Sequence, residues 1–178
     1  MPLYKYILDF LKGDKEETIQ PYHIRVGTLE DKEDIRLILS EFHKTSPFKD
    51  IKVDKDKSTE FIVKAVTDDN CKVLIATLDK AVVGILIGTI QEFPFSLEKN
   101  ALEVVWYVVP EHRGYLGKEL YHAFHTWCLS RDVSVISMAA PTDNYKLRAF
   151  YTSLGYTPIE DVYMLYIQKD IPPWLQLH

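Results

Sequence analysis

Apolar residues in the first third of the chain recur at helical spacing, and from about residue 72 the pattern turns to strand-like runs. Residues 1–20 read as an amphipathic helix with Tyr4, Ile7, Leu8 and Leu11 on one face and Gly13 as its stop. Tyr22–Val26 alternates like a half-buried strand. Thr28 then opens a capping sequence, because its side chain is suited to accept from first-turn N–H groups. The helix that follows carries Ile35, Ile38, Leu39 and Phe42 on one side. Pro47 and the charged run Lys49–Lys57 read as a solvated loop. Ser58 is expected to cap a second helix, with Phe61, Ile62, Ala65 and Val66 as its apolar face.

Lys72–Leu78 and Ala81–Gln91 read as an antiparallel hairpin turning at Asp79-Lys80. A loop with Phe93, Pro94 and Phe95 at its tip follows, and then the stretch that organises the rest, Ala101–Leu120. It begins as a β-branched and aromatic strand, Ala101–Val109, which Pro110 ends for want of an N–H. A short basic turn, His112-Arg113-Gly114-Tyr115-Leu116-Gly117, leads into a helix over Leu116–Arg131 with Leu120, Phe124 and Trp127 as its stripe. Strand, glycine turn and helix N-terminus together make an anion site, because unpaired N–H groups and the helix dipole both favour negative charge. Phosphate is the natural guest. Val133–Ala139 reads as a strand parallel to Ala101–Val109. Asn144–Leu154 reads as a helix with Leu147, Phe150, Tyr151 and Leu154 inward and Gly155 at its C-cap. Tyr156–Thr157 and Val162–Ile167 are expected to close the sheet, with a Pro-rich surface tail after them.

At 178 residues the chain suits one domain with a sizeable core. A formal charge of −5 argues against a general nucleic-acid binder and mildly favours a cationic substrate. Cys71 and Cys128 lie far apart without metal-type spacing and read as small core residues, which suits a reducing compartment. The sequence has no apolar run near the ~20 residues of a membrane span. The N-terminus lacks a signal-peptide pattern, so cytoplasm is the expected location and neither metal nor membrane is called for.

Three segments carry a resemblance: WYVVPEHRGYLGKEL (Trp106–Leu120), Asn144 with Tyr151 seven residues on, and AFYTSLGY (Ala149–Tyr156). In this order they resemble the GNAT superfamily of acetyl-CoA-dependent N-acetyltransferases, over roughly Tyr22 to Ile167. The resemblance implies an α/β (α+β) fold. Its sheet would be mixed and mostly antiparallel, of about 6–7 strands, with helices on both faces and parallel, splayed strands 4 and 5. It divides the chain into an extension helix (1–20), an acetyltransferase domain (21–169) and a tail (170–178). The family's turn usually reads Q/R-x-x-G-x-G/A. With Gly117 as its last glycine, His112 takes the first place and Tyr115 that of the first glycine; with a loop one residue shorter, Arg113 is the anchor.

By that resemblance, backbone groups of Tyr107, Val108 and Val109 hold the thioester arm, and a main-chain N–H polarises the acetyl carbonyl. Arg113, Gly114, Tyr115, Leu116, Gly117 and Lys118 surround the pyrophosphate, with His112 at the turn's start. Glu103, a carboxylate in an otherwise apolar strand, is the candidate base, with Glu92 in reserve. Tyr151 is the candidate acid that re-protonates the sulfur, and Asn144 orients the pantetheine arm or caps its own helix. Phe93 and Phe95, with the first helices, form the acceptor wall, whereas His122 and His125 read as surface residues away from the cleft. The implied activity is acetyl transfer from acetyl-CoA, the co-substrate, to a primary amine on a small molecule or peptide, by direct attack in a ternary complex. A catalytically weak or inactive acyl-CoA-binding or protein-interaction module of the same fold is the alternative. A homodimer is left open.

Overall fold

The structure is a computed structural model and describes residues 22–166. The expected helix over 1–20 and the tail over 170–178 lie outside those residues. Two compact units divide after Ala139. In the first, five strands form one sheet in the order β1-β2-β3-β4-β5: β1 (His23–Val26), β2 (Cys71–Leu78), β3 (Ala81–Glu92), β4 (Lys99–Val108) and β5 (Val135–Ser137). Every neighbouring pair is antiparallel except β4 and β5, which run parallel.

The central strand β3 is buried along most of its length, so its sequence is a near-continuous apolar run rather than an alternation. On one face Val73, Ile75, Ile85, Ile87, Val105 and Tyr107 meet Ile35 and Ile38 of α1 (Lys32–Thr45) and Ile62 and Ala65 of α2 (Lys55–Thr67). On the other, Leu74, Leu86, Ala101 and Val108 meet Leu116, Leu120, Phe124 and Cys128 of α3 (Tyr115–Ser130). Helix α3 lies close to β3 because the positions beneath it have no side chain. A Cβ on Gly88 would come within 2.2 Å of the Phe124 ring, and one on Gly84 within 3.0 Å of Leu120.

The β2–β3 turn falls where expected, with Asp79 and Lys80 both at positive φ. One cap differs from the sequence reading. Asp54, not Ser58, caps α2: its carboxylate accepts the Lys57 N–H at 2.9 Å, and Ser58 lies inside the helix with its hydroxyl on the Asp54 carbonyl. The charged run before it therefore ends in helix rather than loop. Thr28 opens a capping box as expected, and the buried Asp31 carboxylate accepts both the Thr28 N–H and its hydroxyl. Asp31 also takes both guanidinium arms of Arg25, at 2.5 and 2.7 Å, which holds its pKa well below the usual carboxylate range and ties β1 to the start of α1.

In the second unit, α4 (Tyr145–Ser153) is capped by Asn144, whose side-chain oxygen accepts the Leu147 N–H at 3.1 Å. Gly155 at φ 90° closes it as a C-cap, with the Tyr156 N–H returned to the Tyr151 carbonyl. Residues 156–166 form no strand, so the sheet has five strands among the described residues rather than six or seven. Val162, Tyr163 and Leu165 are at least three-quarters exposed. Alternation there satisfies strand propensity, but a strand also needs a ladder to join.

Gly88→Ala is expected to destabilise the protein by about 1–3 kcal/mol in urea unfolding, as overpacking does. Adding Phe124→Leu should recover part of that loss, because the clash is with that ring alone.

Candidate active site

The parallel pairing of β4 and β5 covers only Asn100 with Val135, Ala101 with Ile136 and Leu102 with Ser137. Side-chain bonds reinforce it. Ser134 donates to Glu98, and the Ser137 hydroxyl donates to the buried Asn100 side-chain oxygen at 3.0 Å. Above Leu102 the strands part, and Glu103 sits at the crotch of the fork, its carboxylate accepting the Ala139 N–H at 3.1 Å. The β3–β4 register slips at this height: Gly88 pairs with Glu103 and Ile87 with Val105, which leaves Val104 as the extra residue of a β-bulge. The bulge re-aims the strand. Ala101 below it packs toward α3, whereas Val105 and Tyr107 above it pack toward α1 and α2.

Burial pushes the Glu103 carboxyl up to about 7, against the opposing pull of the Ala139 N–H. Near neutral pH this group is divided between its two protonation states, as suits a proton acceptor. Glu92, the reserve candidate, is exposed at the far end of the β3–β4 hairpin, opposite Lys99.

The backbone facing the fork differs from expectation. The Val109 N–H is given to the Val83 carbonyl at 3.0 Å, within the β3–β4 ladder. With that register, Tyr107 and Val109 direct their ladder groups at β3, and Trp106 and Val108 direct theirs away from it. The Val108 carbonyl in turn accepts Arg113 Nε at 3.0 Å. Of the three residues expected, Val108 is the one whose ladder groups turn away from β3. Trp106 also walls α3, with its ring against Tyr121 and near Gly117. The polar Asn100 at the head of an apolar strand was the one sequence signal for the lower stitching; Ser137 and Trp106 gave none.

The turn after β4 is a short helical turn, Pro110–His112, followed by Gly114 at φ 98° and the start of α3 at Tyr115. Gly114 occupies backbone space closed to other residues, and no atom lies within 4 Å of where its Cβ would stand. Its surroundings are open, and the first-turn amides of Tyr115, Leu116 and Gly117 have no acceptor within the helix. These features fit a phosphate group. The turning glycine is therefore Gly114, and Tyr115, placed by the motif where a glycine is usual, is the first helical residue, with its hydroxyl engaged by Glu119. Arg113 is folded back, with Nε on Val108 and its guanidinium 5.8 Å from the Tyr107 ring centroid, so it pins the turn. His112 meets the Tyr22 hydroxyl at 3.2 Å. Leu116 is core and offers only its amide, and half-buried Lys118 stands at the helix start.

The chain matches the Acetyltransferase (GNAT) family over residues 33–156. It belongs to that family. Solved structures agree in fold. An aminoglycoside acetyltransferase, meta-AAC0020, from an uncultured soil metagenomic sample and in complex with sisomicin superposes with TM-score 0.65 at 20% identity, over 83% of this chain and 95% of its own. The aminoglycoside enzyme AAC(6′)-Iy, bound to a CoA bisubstrate analogue, gives 0.66 at 16% identity, over 83% and 98%. The ribosomal-protein-alanine N-acetyltransferase of Brucella melitensis biovar Abortus 2308 gives 0.63 at 18%, over 83% and 99%. No curated protein sequence matches the chain.

Other expected groups stand apart from the fork or in the second unit. Phe93 and Phe95 stack on one another on the β3–β4 loop, with Phe95 90% exposed. His122 and His125 are half-buried rather than surface groups, and both rings lie against Tyr121. Burial and the nearby His122 lower the pKa of His125. Cys128 is buried, with its thiol pushed up to about 12, and is no nucleophile. Tyr151, in the second unit, is 7% exposed and packs its ring on Tyr156. Among the described residues there is no cluster of metal ligands, and no helix is long and apolar enough to cross a membrane.

Gly114→Ala should cost about 1–3 kcal/mol of backbone strain and lower the melting temperature. Gly117→Ala should be nearly neutral, because its Cβ would meet Trp106 at an ordinary 3.7 Å.

Proposed function

We propose that this GNAT-family protein transfers an acetyl group from acetyl-CoA to a primary amine by direct attack in a ternary complex. The observation that supports this most is the fork, where the β4–β5 ladder stops and a half-buried carboxylate of raised pKa stands at the same point of β4. Acetyl-CoA supplies a thioester carbonyl as the electrophile. Amides after Gly114 bind its diphosphate, and the Val108 backbone orients its arm along β4. The Val108 N–H, directed away from β3, is the donor in this reading to an oxyanion on the acetyl carbon. Glu103 takes the proton that the amine releases as the new C–N bond forms and the C–S bond breaks. A proton from Tyr151 leaves the departing sulfur as a thiol; this role rests on the resemblance of its sequence setting. The absence of a suitable cysteine among the described residues favours direct attack over an acyl-enzyme. The CoA-analogue and sisomicin complexes of the relatives are consistent with such a pairing of thioester and amine.

Calorimetry with acetyl-CoA and thiol release with an amine panel test the proposal together. CoA binding without turnover of any amine would mark a binding module of this fold, and no binding would end the reading. Glu103→Gln should lower kcat by about 10²–10⁴-fold and remove the rise of activity through pH about 7. The same group gives a stability test. Its folded pKa lies above its unfolded one, so the folded state binds more protons between them and stability falls as pH rises across that window. Glu103→Gln should therefore raise the melting temperature more at pH 8 than at pH 5. Tyr151→Phe should reduce kcat while leaving the CoA dissociation constant within about twofold, since it removes a proton donor and little contact.

A further inference from the structure

The peptide plane between Val108, the last residue of β4, and Val109 is held from both sides. Its N–H is given to the Val83 carbonyl at 3.0 Å, and its C=O accepts Arg113 Nε at the same distance. The first bond continues the β3–β4 ladder, whereas the second comes from an exposed side chain beyond the turn. Ring contacts fix that side chain in turn. The guanidinium lies 5.8 Å from the Tyr107 ring centroid, within cation–π range, and Tyr107 meets the Phe42 ring of α1 edge-on at 6.3 Å. Two backbone bonds of the turn, His112 N–H to the Val109 carbonyl at 2.9 Å and Arg113 N–H to the Pro110 carbonyl at 3.4 Å, bring Arg113 back over the strand end.

Resting on the acetyl-transfer reading, we infer that Arg113 is a positioning residue for the transfer rather than a ligand of the phosphates: by clamping the Val108 carbonyl it holds the Val108 N–H in one direction. Parallel pairing of β4 with β5 ends at Leu102, so at Val108 the strand is supported by β3 on one side. A strand end so placed frays unless something holds its far side. An oxyanion donor contributes most when it is fixed before the reaction, because no reorganisation is then needed as charge develops. Arginine suits this clamp: Nε donates in the guanidinium plane while the face of that plane rests on a ring, a combination that lysine lacks. Arg113 gives up no proton and forms no covalent bond in this role. The bond changes remain those of the transfer itself: C–N forms, C–S breaks, and the amine's proton goes to Glu103.

Arg113→Lys and Arg113→Ala in the full chain test this, beside the unaltered protein. The measurements are calorimetry with acetyl-CoA, thiol release with an amine that the unaltered protein turns over, and hydrogen exchange at the Val109 amide in the free protein. Both variants should lower kcat by about ten- to a hundredfold, as a small misplacement of a reacting group does. The acetyl-CoA dissociation constant should stay within about twofold, since the lost interaction is made in the transition state. Exchange at Val109 should quicken about tenfold or more while the melting temperature holds, because the loosening is local. Lysine keeps the charge but not the clamp, so it should fail as alanine does. Methylguanidinium added to Arg113→Ala should restore part of kcat, as the site is exposed to solvent. A loss of acetyl-CoA affinity in Arg113→Ala that Arg113→Lys recovers would make the side chain a phosphate ligand and overturn the inference. Unchanged kcat in both variants, or a fall in kcat matched by falls in affinity and melting temperature, would overturn it as well. If the unaltered protein binds acetyl-CoA but turns over no amine, the acetyl-transfer reading itself fails and takes this inference with it.

Discussion

A parallel ladder that stops after three residue pairs is the constraint on which the rest of this structure depends. Below the stop, β4 is an interior strand, with antiparallel bonds on one side, parallel bonds on the other, and Asn100 and Glu98 stitching it to β5. Above it, one side of the same strand has backbone donors and acceptors without a neighbouring strand. Such an edge usually invites aggregation. Here it leads directly into a glycine turn and a helix N-terminus, so that the strand edge and the first-turn helix amides adjoin along one path. An extended ligand with a phosphate at one end suits that path.

The carboxylate at the crotch follows from the same geometry. Glu103 is removed from water by its position between the parting strands, and the Ala139 N–H steadies it without fully offsetting the cost of burial. The bulge at Val104 is coupled to this placement: it flips the alternation of β4, so that Val105 and Tyr107 above the fork pack under α1 and α2, while Ala101 below it packs under α3.

Arg113 and Tyr107 show how a basic motif can serve structure. A guanidinium in a phosphate-type turn reads as a phosphate ligand, but here its Nε goes to the Val108 carbonyl and its face to an aromatic ring. It holds the strand end against the turn. The anion site then relies on amides and the helix dipole more than on fixed cationic side chains.

The sequence by itself determined the elements whose signals are local. Helix faces at Ile35–Ile38 and Leu120–Phe124, the Asp79-Lys80 turn, the Asn144 cap and Gly155 all depend on residues within a few positions of one another. The parallel relation of β4 and β5 was also legible, because a strand–helix–strand crossover admits one sense. Tertiary structure decided the rest. Asp54 and Ser58 are both competent caps, and packing of Ile62 and Ala65 sets which one begins the helix. Whether residues 162–166 become a strand depends on a partner edge, and whether Val109 or Val108 faces the fork depends on register with β3. Glu103 was visible as a misplaced charge, but its raised pKa exists only where separate strands meet. Periodicity is a property of neighbours in the chain, whereas register and desolvation are properties of neighbours in space.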